Sequence, residues 1–224
     1  MAYRITRRAK YGADKFVLIG RQKVHYIEAG KGDPVIFLPG SYSTYRLWNH
    51  LIPLLAKDYR LLAPDFSAEF EYTVPEQSDL VAQIVRQLEL VKVNLVGGAQ
   101  GGEVVFDFAA RHPDLATRII SIGGHIFSTD ELKGDPPKSR SKTQKTLRGS
   151  TVSEEAKDLK LPILYLYGTK TNIKQAELAK DLAFLQKNLP QAWIVALEGG
   201  IFDTALKNPE EVANIILDFL KARG

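Results

Sequence analysis

No cysteine occurs anywhere in the 224 residues, which excludes a disulfide framework, a thiol nucleophile and thiolate metal ligation. Histidine is scarce as well: there are four, and none stands at the HxxxH or HxH spacing of a metal site, so neither metal nor cofactor is expected. No apolar run approaches the roughly twenty residues of a membrane-spanning helix. The opening MAYRITRRAK is basic but has neither apolar core nor cleavage pattern, so no secretory signal is expected and a cytoplasmic location is the default. Neither sign of charge dominates. The formal balance of +4 is too mild to point to nucleic acid by itself.

What is present is a chain that is 45% hydrophobic, enough for one domain with a substantial core. Residues 16–20 and 23–29 read as two strands joined by a polar turn, a hairpin. Residues 34–38 (PVIFL) form a continuous apolar run, the mark of a strand buried on both faces. A helical pattern at 45–56, a strand at 59–64, a loop to Pro75 and a helix at 78–91 follow. Further strands are read at 117–122, 161–167 and 192–197, with helices at 175–187 and 209–222. Strands alternating with helices predict a parallel sheet covered on both faces. The polar interval 125–160 is the evident insertion. Its middle, 138–148, holds five basic residues and no acidic one. Together with Arg4, Arg7, Arg8 and Lys10 it raises the thought of nucleic-acid or acidic-partner binding, but solvated charge is the expected role of both segments.

The organising stretch is VNLVGGAQGG at 93–102, where a run of β-formers stops at glycines and hands over to a helical pattern. Gly97 and Gly101 bracket Ala99 at the spacing of a nucleophile elbow, in which small neighbours let strand and helix approach and the middle residue is strained and exposed. A phosphate loop fits the spacing poorly. A dinucleotide fingerprint needs glycine at Ala99, and a Walker loop needs Lys and Ser or Thr where Glu103 and Val104 stand. The elbow residue should be a nucleophile, yet a methyl group cannot attack anything.

KVHYIEAGKGDPVIFLPGS, LLAPDF, VNLVGGAQGGEVVFDFAARHP, LPILYLYG and NPEEVANIILDFL together resemble, in order and spacing, the α/β-hydrolase fold family. The resemblance covers nearly the whole chain. It implies a mostly parallel eight-stranded sheet with an N-terminal antiparallel hairpin, helices on both faces and a reduced cap at about 125–160, all in a single domain, 1–224. It also implies three catalytic positions, and all three are degenerate here. The nucleophile falls at Ala99 and the acid at Thr171, three residues past the glycine that ends the seventh strand. The histidine falls at Ile201, or at Phe202 by a one-residue slip. This triple departure is similar to that of pseudo-hydrolases such as maspardin and the N-Myc downstream-regulated proteins.

The anion-binding half of such a site is retained. Pro39-Gly40-Ser41 resembles the family's oxyanion loop, and the Gln100 N–H opens the elbow helix. Those N–H groups serve either a ligand or simply the closure of the turn, and both readings stand. His125, after the sixth strand, joins Ser41, Tyr42, Asp65, Ser67 and Asp203 at the expected carboxyl edge of the sheet, where open α/β sheets bind ligands. Turn, cap or packing roles are the expected explanation of each of these. His25 on the hairpin, His50 in a helix and His112 before Pro113 are poorly placed for catalysis. Glu103 is unusual where the family has a small residue, although a carboxylate in a first helical turn also suits the helix dipole. The expected ligand-binding set is therefore Gly40, Ser41, Tyr42, Gln100, His125 and Phe202. The expected function is a non-catalytic pseudo-hydrolase that binds a small anionic or carbonyl-bearing ligand or a protein partner. An esterase-like hydrolase with a displaced catalytic constellation is the alternative.

Overall fold

The computed structural model describes residues 11–40, 44–66, 72–124, 126, 154–170, 175–200 and 207–222. The strands are β1 (Ala13–Ile19), β2 (Gln22–Ala29), β3 (Pro34–Leu38), β4 (Arg60–Asp65), β5 (Val93–Gly98), β6 (Ala116–Ile122), β7 (Ile163–Gly168) and β8 (Trp193–Leu197). The helices are α1 (Ile52–Leu55), α2 (Val74–Gln87), α3 (Gln100–Arg111), α4 (Gln175–Asn188) and α5 (Pro209–Lys221), with 3-10 turns at Tyr45–Trp48 and Glu154–Asp158.

All eight strands join one sheet in the order β1-β2-β4-β3-β5-β6-β7-β8. The β1–β2 and β2–β4 pairs are antiparallel and every later pair is parallel, as the α/β-hydrolase resemblance implies. β3 is a continuous apolar run and β5 is buried throughout, with Asn94 its one polar side chain, because both of their faces are covered. On one face Ile36, Leu95, Ile119 and Tyr165 pack under a layer that includes Val81, Val85, Val105 and Phe108 of α2 and α3. On the other, Val35, Phe37, Val96 and Leu166 pack with Leu55, Val212 and Ile216 of α1 and α5. The chain leaves β3 toward β4 and leaves β5 toward β6, so the strand order reverses between β3 and β5. The crevice this opens at their carboxyl ends is where doubly wound sheets place their ligands.

Two local readings change. The helix expected at 45–56 is a 3-10 turn and a short α1, interrupted at residues 49–51. Pro53 has no N–H, and in a continuous helix its ring would meet the carbonyl of Asn49, so the chain restarts with proline in the first turn. His50 accordingly sits in a turn. The second helix begins at Val74, inside the expected loop, because Thr73 and Glu76 form a reciprocal capping box: Thr73 N–H donates to Glu76 Oε2 at 2.7 Å and Glu76 N–H donates to Thr73 Oγ1 at 3.3 Å.

Candidate functional site

The site is built from the turn between β5 and α3. Ala99 sits there at φ 49°, ψ −123°, a backbone conformation that side-chain-bearing residues rarely adopt. Strain of this kind costs about 1–3 kcal/mol and persists only where the surroundings over-determine it. Here the enforcement is a close approach of strand and helix. A Cβ on Gly97 would run into the Gly101 carbonyl, and a Cβ on Gly101 would run into the Leu38 carbonyl of β3. Two hydrogen bonds lock the turn: Ala99 N–H donates to Ile122 O at 3.0 Å and Gly102 N–H donates to Ala99 O at 2.8 Å. The expected elbow is therefore present, with a methyl group at its tip.

Gly40 lies against this tip. A Cβ built on it would stand 3.0 Å from Ala99 Cβ and 3.7 Å from the Gln100 nitrogen. The loop after β3 and the head of α3 thus converge around Ala99, as the oxyanion-loop resemblance implies. Trp48 closes the turn from beneath, near Gly98, and packs edge-on against Phe37 at 5.3 Å. Ser41, Tyr42, His125, Thr171, Ile201 and Phe202 lie outside the described residues, as do Ser67, Asp203 and the basic stretch 138–148.

Behind the elbow lies a polar group that sequence reading only half detected. Glu103, partly buried one turn into α3, has no hydrogen-bond or ion-pair partner among the described residues. Burial, reinforced by the nearby Asp181 carboxylate, pushes its carboxyl up to about 8, overriding the favourable helix-terminal location. Asp181 of α4 is fully buried. It accepts from Ile126 N–H at 3.2 Å and lies 3.4 Å from the Tyr165 hydroxyl, which donates to Gly124 O at 2.9 Å. Burial raises the Tyr165 hydroxyl far above its ordinary range, so it remains a protonated donor. Tyr165 and Asp181 thereby hold the chain at Gly124 and Ile126, beside the elbow.

A second polar cluster stands on the hairpin side. His25 Nε2 is 2.9 Å from Asp14 Oδ1, and its Nδ1 is 3.9 Å from Asp65 Oδ2 at the end of β4. The rings of Phe16 and Tyr45 flank the imidazole. Asp65 foremost, and Asp14 with it, raise the His25 pKa above 6.5 against the opposing effect of burial. Cross-strand register (His25 opposite Asp65 in β2–β4, Phe16 opposite His25 in β1–β2) assembles the group. Both ring nitrogens face carboxylates, so His25 is a fastening between strands. Likewise His112 caps α3 and meets Asp79 at 3.0 Å. No group of three or more His, Cys, Asp or Glu among the described residues is arranged to hold a metal, and no described helix is long and apolar enough to cross a membrane.

An eight-stranded sheet with this crossing order and a strained elbow after its fifth strand defines an α/β-hydrolase architecture. The sequence profile of the alpha/beta hydrolase fold matches residues 33–152, more than half of the chain, and the protein belongs to that family. It is similar to the pyrrolizixenacetamide deacetylase of Xenorhabdus hominickii, 32% identical over 122 residues, covering 51% of this chain and 46% of that one. It is also similar to the soluble epoxide hydrolase of Corynebacterium sp. (strain C12), 30% identical over 109 residues, covering 46% and 38%. These matches span less than half the length of either relative. Among solved structures, the carboxylesterase CesB of Bacillus subtilis superposes with a TM-score of 0.76 at 18% identity, covering 93% of this chain and 91% of that one. A hydrolase from Pseudomonas aeruginosa PA01 gives 0.73 at 15% identity, covering 93% and 98%. At such identities the superpositions speak for the fold alone.

Proposed function

We propose that this chain is a triad-less member of its family, a cytoplasmic pseudo-hydrolase whose elbow pocket holds a small anionic or carbonyl-bearing ligand. One observation carries the reading: the tip of the elbow, with its strained backbone and Gly40 alongside, bears the methyl group of Ala99. Covalent catalysis needs an ionisable or hydroxyl side chain at that point. Thr171 and Ile201 at the other two family positions agree with it, and the pattern is similar to that of maspardin and the N-Myc downstream-regulated proteins.

The test is turnover of an activated ester such as p-nitrophenyl acetate by the purified protein. No rate above an Ala99→Leu background is expected. Ala99→Ser alone should restore little, because triad members act as a unit. A burst of nitrophenol with a covalent adduct in the mass spectrum would overturn the reading. A thermal-shift screen of acyl, carboxylate and phosphate compounds should yield a stabilising ligand whose effect Ala99→Leu weakens.

A second reading, a hydrolase with displaced chemistry, is favoured by Glu103. It is a carboxyl whose pKa burial and the nearby Asp181 push up to about 8, one turn beyond the elbow, in a chain whose relatives are named as hydrolases. Turnover that disappears in Glu103→Gln and persists in Ala99→Leu would select it.

A further inference from the structure

A second concavity lies at the opposite end of the sheet from the elbow. Gln100 opens α3 at the elbow, whereas Ala109 and Ala110, about 15 Å further along the helix, wall a cavity of about 590 Å³ at the amino ends of β5, β6 and β7. Small-molecule sites run from about 300 to 1,000 Å³, so there is room for a ligand of that kind. Pro113, Leu159 and Leu161 join the two alanines, whose short side chains leave the space open. Thr117 also lines the cavity, at the point where the ladder between β5 and β6 slips: Val93 faces Ala116 and Asn94 faces Arg118. Thr117 is thus left over in the register, and pairing with β7 starts only at Ile119. A bulge of this sort re-aims the side chain it carries.

The charges at the mouth are sorted by sign. Lys92, just ahead of β5, and Lys160, ahead of β7, stand on either side of β6, and strands about 4.8 Å apart set the two segments about 10 Å apart with Thr117 between them. Glu155 and Asp158 come from the 3-10 turn, in which residues three apart share a face. The Glu155 carboxylate already lies within electrostatic reach of Arg111. Lys92, Lys160 and Asp158 are exposed and form no ion pair among the described residues.

We propose that this cavity binds a short apolar peptide with free ends, two or three residues long. Its carboxylate sits between Lys92 and Lys160, its ammonium meets Asp158, and its apolar side chains fill the space against Ala110, Leu159 and Leu161. A simple fatty acid would leave Asp158 unanswered and bring a second negative charge toward it. A zwitterion with an apolar body answers all three free charges. The Thr117 hydroxyl, donor and acceptor at once, is available to the peptide group between the ends.

The site and the elbow reading stand independently, and one titration separates them. Leu-Leu is added to the full chain and followed by amide NMR, with acetyl-Leu-Leu and Leu-Leu amide as probes that each lack one charge. A Kd of about 1 mM or tighter is expected, with shifts at Ala109, Ala110 and Thr117 and none at Gln100. Each blocked peptide should bind at least about threefold more weakly, as should Leu-Leu to the Lys92→Ala/Lys160→Ala and Asp158→Asn variants. Ala110→Trp should abolish binding by filling the cavity, and Ala99→Leu should leave it unchanged. Should the tryptophan variant fail to fold, the blocked peptides and the variants at exposed residues decide. No saturable shift at about 10 mM Leu-Leu, blocked peptides that bind as tightly as the free one, shifts centred on Gly40 and Gln100, or binding that survives in a folded Ala110→Trp would each overturn the proposal.

Discussion

The elbow and the His25 cluster are opposite kinds of site. Around Ala99 the fold maintains a strained turn and a close strand–helix approach with no reactive group at the tip. Around His25 it gathers an imidazole and two carboxylates, the ingredients of acid–base chemistry, yet commits both ring nitrogens to holding strands together. Position in the fold and chemical equipment are therefore separable: a site is defined by what its geometry leaves available, and neither the motif nor the residue type suffices alone.

The sharpest way to break this contrast is Gly101→Ala. The added methyl would collide with the Leu38 carbonyl of a buried central strand, which has no room to move. Destabilisation of more than about 4 kcal/mol, or loss of the folded protein, is expected in chemical denaturation. A mild loss would show that the close approach at the elbow is adjustable.

Glu103→Gln tests whether the elbow side carries a latent ionisable group. Its folded-state pKa lies near 8, above the ordinary 4.5, so at neutral pH the carboxyl must take up a proton as the chain folds. The cost is absent below pH 4.5, grows as pH rises, and is complete above about 8. The glutamine variant should match the native protein at pH 4 and exceed it by about 2–4 kcal/mol at pH 8.5. Thermal melts across that range provide the measurement, and a pH-independent difference would remove Glu103 from the comparison.

The smallest effect is expected at the fastening. The His25 pKa is raised on folding, so its contribution is fully present below pH 6.5 and fades as pH rises through the folded value. His25→Gln should cost about 1 kcal/mol at pH 5.5 and less at pH 9. If the loss grows with pH instead, the carboxylates are not holding an imidazolium.

Legibility followed the range of the interaction. VNLVGGAQGG announces the elbow because strand, turn and helix are consecutive there, and the Thr73–Glu76 box is an equally local capping pattern at the edge of the stretch that reads as loop. Pro53 likewise carried a local signal, the break in the helix expected at 45–56. No local pattern could reveal that Asp14, His25 and Asp65 meet, since strand pairing brings them together. The same holds for Glu103, Tyr165 and Asp181, which come from α3, β7 and α4.

By itself, then, the sequence determined the alternation of buried strands and amphipathic helices, the elbow, and the methyl group at its tip, because period, glycine spacing and side-chain identity are properties of neighbouring residues. Tertiary structure alone decided that the Glu103 carboxyl is buried near Asp181 and that His25 is tied on both sides. Each of these depends on which distant segments are packed together and on the water their packing excludes.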